Sequence, residues 1–143
     1  MSELRIERRY PVDAKRLFAY LTETEHLLEW WGPEGARVLA ASLDLGRLGP
    51  WSITIDTPRG PFEMTGEVLR IEPGRLVEFT MDVPGQQAPD STVRFEVAED
   101  GPGHSRFTLV QSGITDEMVD MGKRGWGGTI VRLEQALGLA SAT

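Results

Sequence analysis

The chain has 143 residues, carries 22 acidic against 15 basic side chains for a net charge of −7, and contains no cysteine. That length fits one domain, residues 1–143, with a core that needs no staple, and the missing thiols exclude disulfides, thiolate metal sites and a cysteine nucleophile. The acidic balance, with basic residues scattered singly apart from Arg8-Arg9 and Lys123-Arg124, repels phosphate backbones and anionic lipid, so neither nucleic acid nor a membrane is an expected partner.

Leu4 to Tyr10 alternates Leu4, Ile6, Arg8 and Tyr10 against Arg5, Glu7 and Arg9 and predicts a first strand, which Pro11 ends. The N-terminus interleaves Glu and Arg where a signal peptide needs an apolar run, and no run approaches the ~20 apolar residues of a membrane span. A cytoplasmic protein is therefore expected. Asp13 is placed to cap a helix over Ala14 to Leu21, in which Leu17, Phe18 and Leu21 share a face. A second short helix is expected from Thr22 to Glu29, ending at Trp30-Trp31-Gly32-Pro33.

From Ala36 the pattern turns extended. Strands are predicted at Arg37 to Leu45, Trp51 to Thr57, Phe62 to Glu72, Leu76 to Val83, Ser91 to Ala98 and Ser105 to Ser112, separated by Gly- and Pro-containing turns and by a polar loop from Pro84 to Asp90. Val77, Phe79, Met81 and Val83 alternate with Glu78, Thr80 and Asp82, and Phe107, Leu109 and Gln111 share one side of the last strand. Short turns between alternating strands make an antiparallel meander with one dry face.

Thr115 to Leu139 is the longest segment of helical period. Met118, Gly122, Trp126, Ile130, Leu133 and Leu137 form one stripe, which has only the sheet's dry face to pack on. Gly122, Gly125, Gly127 and Gly128 each cost about 1 kcal/mol relative to Ala in a helix interior. Two readings account for them: the helix backbone approaches the sheet closely, or the missing side chains leave a hollow beside it.

The order strand, two short helices, six-strand meander, long helix is that of the α+β helix-grip fold of the START superfamily, a curved antiparallel sheet of about seven strands wrapped around a C-terminal helix. Pro11-Val-Asp-Ala, Trp30-Trp31-Gly32-Pro33, Leu43-Asp44-Leu45 leading to Gly49 and Trp51, Gly66-Glu-Val68, Ile71-Glu-Pro73 and Gly125-Trp126 sharpen this. Together they resemble bacterial homologues of the activator of the heat-shock-chaperone ATPase, over nearly the whole chain. The chain departs from that family in the turn Gly46-Arg47-Leu48-Gly49-Pro50 and at Gln111, where relatives often place His. The resemblance implies a cavity between sheet and helix, and a superfamily that includes lipid carriers, hormone receptors, polyketide cyclases and chaperone co-activators active in the stress response. Fold does not choose among these.

The chemistry-bearing residues are sparse. His26 lies among Glu23, Glu25 and Glu29, a charge-rich segment that reads as a solvated face; His104 lies in a Pro-Gly loop, and no H-x-x-x-H or E-x-x-H pair falls on a firmly predicted helix, so no metal site and no cofactor are expected. Glu63 with Glu67, and Glu78 with Glu96, fall on the polar side of their strands and are expected in solvent. The expected site is the apolar interior, with Trp30, Trp31, Met64, Phe79, Met81, Phe95, Gln111, Met118, Met121, Gly122 and Trp126 as its ligand-binding residues. A non-catalytic module holding a small hydrophobic or aromatic molecule is the first reading. An interaction module for a chaperone, as the resemblance implies, is the second, and a cyclase or hydrolase using Gln111 with Arg8, Tyr10 or Tyr20 is the third. A homodimer is compatible with each.

Overall fold

The computed structural model describes residues 2–31, 37–82 and 91–139. Seven strands and three helices run in the order β1 (Ser2–Tyr10), α1 (Ala14–Thr22), α2 (Thr24–Trp30), β2 (Arg37–Ser42), β3 (Gly49–Thr57), β4 (Gly60–Glu72), β5 (Leu76–Thr80), β6 (Thr92–Glu99), β7 (Ser105–Ile114) and α3 (Asp116–Ala136). All seven strands form one antiparallel sheet in the order β1-β7-β6-β5-β4-β3-β2. The first strand pairs with the last, and the two short helices carry the chain from one edge of the sheet to the other. The predicted Gly32-Pro33 stop, Val83 and the loop Pro84 to Asp90 lie outside the described residues. Among the described residues no helix is long and apolar enough to cross a membrane.

Local chemistry sets the element ends. The Asp13 carboxylate accepts from the Lys15 backbone N–H at 3.1 Å, as the capping pattern predicts. Thr115 caps α3 by accepting from Met118 N at 3.3 Å, with Asp116 and Glu117 in the first turn where the helix dipole favours negative charge. At the other end Gly138, with φ +79°, donates to Gln135 O while Leu139 donates to Glu134 O, the paired bonds of a Schellman stop.

Two strands are shorter than their sequence pattern. β2 ends at Ser42, and Leu43 and Leu45 are buried outside the ladder. Their backbone groups bond the junction of the short helices instead: Thr24 Oγ1 donates to Leu43 O and Leu45 N donates to Thr22 O. β5 stops at Thr80 because side chains take over its ladder positions. Trp51 Nε1 donates to Thr80 O at 3.0 Å, Glu67 N donates to Thr80 Oγ1 at 2.8 Å, and pairing resumes only at an isolated Thr65–Asp82 bridge. β7 is longer than predicted, reaching Ile114 to pair with Ser2.

The dry face faces α3 as the alternation requires. One row across the sheet reads Val68, Phe79, Val93, Gln111, Leu4, and the next reads Val77, Phe95, Leu109, Ile6, all of them buried. The outer face is not uniformly wet. Thr108 and Val110 are buried there, Val110 flanked in register by Arg5 and Arg94, long side chains whose aliphatic stems can cover apolar surface.

Candidate functional site

The final helix behaves as two pieces. From Trp126 onward its stripe is sealed: Trp126, Ile130, Leu133 and Leu137 are buried, and α3 packs on α2 and β1. Arg132 fixes this half by donating from Nη1 to Trp31 O at 2.9 Å and from Nη2 to Glu29 O at 3.3 Å, which satisfies carbonyls at the end of α2. Toward its N-terminus the same stripe opens. Met118 is half-buried and Met121 is 56 % exposed.

Gly122 and Gly125 divide between the two readings the sequence allows, while Gly127 and Gly128 fit neither, having nothing within 4 Å of an added Cβ and no place in the cavity wall. A Cβ on Gly122 would lie 2.8 Å from Leu4 Cδ1 and 3.7 Å from Gln111 Oε1, so here the helix backbone approaches β1 and β7 closely. Gly125, one turn on, has nothing within 4 Å of where its Cβ would be. The space beside it belongs to a cavity of about 550 Å³ between the open half of α3 and the far side of the sheet.

That cavity is lined by Ile55, Thr57, Pro58, Arg59, Phe62 and Met64 of the β3–β4 hairpin, Met81 after β5, and Gln111 and Ile114 of β7. Met118, Met121, Gly122, Gly125, Trp126 and Thr129 of α3 and Trp31 after α2 complete the wall. The chain's five methionines are Met1 and four others, and all four of those line it. Thioether side chains with free rotation give a wall that adapts its shape. Behind Trp31 and Trp126 the wall is rigid. Trp31 meets Trp51 edge-on at 5.5 Å and Trp126 at 6.3 Å, Phe79 sits 6.2 Å from Trp31, and Phe95 sits 6.0 Å from Trp126.

Polar groups are few. Gln111 is buried and holds both ends of its amide: Oε1 accepts from Trp126 Nε1 at 2.9 Å, and Nε2 donates to Ser91 Oγ at 3.0 Å. The amide therefore orients the Trp126 indole in the cavity wall. Thr129 Oγ1 donates to Gly125 O at 3.1 Å. Trp31 is 2 % exposed and its Nε1 has no hydrogen-bond partner among the described residues. A buried donor left so costs about 1–3 kcal/mol unless a water or a ligand supplies an acceptor.

Eight expected site residues line the cavity, namely Trp31, Met64, Met81, Gln111, Met118, Met121, Gly122 and Trp126. Trp30, Phe79 and Phe95 do not. Trp30 donates from Nε1 to Tyr20 O at 2.8 Å, joining the short helices, while Phe79 and Phe95 form the aromatic layer behind the wall. Their placement has a simple cause: alternation gives the face of a residue but not its depth. Sequence reasoning missed the hairpin contribution. Ile55 and Phe62 are cross-strand partners on the face of Met64, so carrying the alternation through the turn finds them, but Pro58-Arg59 read only as a reversal.

Of the polar residues named for an internal catalyst, Gln111 lines the cavity and Arg8, Tyr10 and Tyr20 lie elsewhere. Arg8 is exposed and donates to Glu7 O, and Tyr20 stacks on His26 at 3.9 Å. Tyr10 is buried and donates to Glu134 Oε2 at 2.9 Å. Burial first, then the Glu134 charge and hydrogen bond, hold its phenol well above the ordinary tyrosine range, with Arg8 opposing in part. Glu23, Glu25 and His26 bring ligand atoms within 4.8 Å of one another, with both carboxylates in solvent, and Glu78 and Glu96 pair with Arg94 on the outer face.

Comparison with known proteins agrees with this fold. A search of curated proteins found no match. Among solved structures, the AHSA1 protein from Silicibacter pomeroyi superposes with a TM-score of 0.85 at 33 % identity, covering 96 % of this chain and 98 % of its own. A protein from Nitrosomonas europaea (TM-score 0.77, 24 % identity, 95 % and 94 % covered) and one from Chromobacterium violaceum (0.80, 19 %, 93 % and 94 %) share the fold. The family model described as "Activator of Hsp90 ATPase homolog 1-like protein" matches residues 11–138, which take in the Trp30-Trp31 corner, the whole meander and the glycine-bearing helix. The chain belongs to that family.

Proposed function

We propose that this chain is a non-catalytic binding module that holds a small apolar or aromatic molecule between the sheet and the N-terminal half of α3. The observation that carries the reading is the cavity of about 550 Å³ with Met and Trp walls, within the ~300–1,000 Å³ range of small-molecule sites. Two further features support it. The α3 backbone gives up helix propensity at Gly125 beside that space, and the Trp31 N–H has no partner among the described residues. A cyclase or hydrolase needs polar groups aimed inward, and Arg8, Tyr10 and Tyr20 do not line the cavity.

The family description also carries chaperone-ATPase activation. That reading calls for an exposed patch, and the exposed large apolar residues Leu39, Leu48, Leu69, Met121 and Val131 are spread over β2, the β2–β3 turn, β4 and α3. Binding is the better supported of the two. Tryptophan emission and thermal shift against fatty acids, sterols and flavonoids test it, with Trp31 and Trp126 as reporters in the wall. Saturable quenching with a rise in melting temperature is expected, and no response from any member of the panel overturns it.

A further inference from the structure

Charge is distributed unevenly between the cavity and the rest of the molecule. The chain carries seven more acidic than basic residues, yet the described lining residues include one cation, Arg59, and no carboxylate. Arg59 sits at the tip of the β3–β4 hairpin, and its backbone is pinned there: Thr57 Oγ1 accepts from Arg59 N at 3.2 Å and donates to Gly60 O at 2.9 Å. The nearest acid in sequence, Asp56, alternates to the other face and pairs with Arg37 at 3.7 Å. The Arg59 guanidinium has no ion-pair or hydrogen-bond partner among the described residues.

We infer that the ligand is a monoanionic amphiphile, an aliphatic or aromatic carboxylate, whose apolar body fills the Met-lined space and whose carboxylate meets Arg59 at the rim. This rests on the binding reading above. A planar guanidinium donates two parallel hydrogen bonds to a carboxylate. One cation in an acidic protein matches one negative charge; a phosphate ester, with close to two, would face the surrounding acid excess with half its charge uncompensated. Apart from the neutral Trp31 N–H, the rest of the described lining is apolar or already bonded, so Arg59 is the one charged group it offers a head group, and the tail is recognised by burial.

The test is a matched pair of probes, decanoate and decan-1-ol, titrated by tryptophan emission and calorimetry into the wild type, Arg59→Gln, Arg59→Lys and Arg47→Gln. Arg47 is exposed on the β2–β3 turn and outside the cavity, so its variant controls for net charge. Decanoate is expected to bind the wild type more tightly than decanol, to lose about tenfold in affinity with Arg59→Gln, and to weaken with salt, while decanol responds to neither variant nor salt. Arg59→Lys is expected to fall between, since it keeps charge and loses the fork. Equal binding of both probes that is indifferent to Arg59 overturns this inference and leaves the cavity reading intact. An equal loss from Arg47→Gln overturns it too, by reducing the effect to net charge. Failure of both probes to bind overturns this inference, and the cavity reading falls with it when the fatty acid, sterol and flavonoid panel is silent too.

Discussion

The contrast between Gly122 and Gly125 gives the sharpest test of how α3 is built. Ala in place of Gly in a helix interior contributes about 0.8–1.0 kcal/mol of propensity wherever the new methyl group fits. At Gly125 it fits, because nothing lies within 4 Å of the ideal Cβ, and the whole gain is kept. At Gly122 the methyl would sit 2.8 Å from Cδ1 of Leu4, which is fully buried in the row with Gln111 and Val93. Leu4 must shift within a buried layer to admit the methyl, and overpacking of this kind costs about 1–3 kcal/mol. The net expectation is Gly125→Ala stabilised by about 1 kcal/mol and Gly122→Ala destabilised by up to about 2 kcal/mol. At roughly 4 °C per kcal/mol for a chain of this size, the two melting temperatures should differ by about 4–12 °C. Thermal and urea unfolding of both single variants measure this. Equal stabilisation of the two would refute the account of Gly122 as a close-approach residue.

Other positions give independent checks. Gly66→Ala places a Cβ 1.9 Å from the Thr80 carbonyl oxygen and 2.5 Å from Trp51 Nε1, and a backbone atom cannot swing away; loss of the Trp51–Thr80 and Glu67–Thr80 bonds with the overlap should cost about 2–4 kcal/mol, and a loss under about 1 kcal/mol in urea unfolding would contradict it. Gln111→Leu strands the Trp126 N–H and the Ser91 hydroxyl, both buried, at about 1–3 kcal/mol each, and should shift tryptophan emission; an unchanged unfolding midpoint would show that the amide does not hold the indole. Tyr10 keeps its proton more tightly folded than unfolded, so the stability it confers is full below about pH 10, where the unfolded phenol titrates, and is lost as pH rises beyond that. Tyr10→Phe should therefore lose about 1 kcal/mol near neutrality and show a shallower fall in urea midpoint between pH 9 and 11; parallel falls in both proteins would refute the assignment.

Periodicity found the sheet and α3 because each buries one continuous face, and a face is what a period encodes. Leu4, Phe79 and Gln111 fall on the apolar side of their strands' alternation, and with Val93 they form one row of the dry face. It misjudged the ends of β2 and β5 because there side chains, Thr24 and Trp51, replace the ladder, and a pattern of apolar residues carries no sign of that. The candidate site was legible on α3, where glycines and methionines are unusual for a helix, and less so on the sheet, where Phe79 and Phe95 look no different in sequence from Met64. Arg59 was hidden for another reason. Its role depends on where the hairpin tip lands relative to α3, which is a tertiary fact.

The wall of the cavity is rigid on one side and adaptable on the other, and this predicts where ligand differences are absorbed. Trp31, Trp51, Phe79 and Trp126 lock one another by edge-to-face contacts, and Gln111 fixes the Trp126 ring, so this side presents one shape. Met64, Met81, Met118 and Met121 face it with unbranched side chains that change rotamer at little cost. Replacing Met118 by Ile removes that freedom, since a β-branched residue in a helix holds one χ1. Met118 is half-buried at the open end of α3, so the change should leave the fold's stability within about 1 kcal/mol. What should change is breadth: across a series of carboxylates graded in chain length, Met118→Ile should keep its affinity for the best-fitting member and bind the longer and shorter ones less well. A uniform loss across the series would show instead that Met118 contributes contact area alone, and that the cavity selects by a fixed shape.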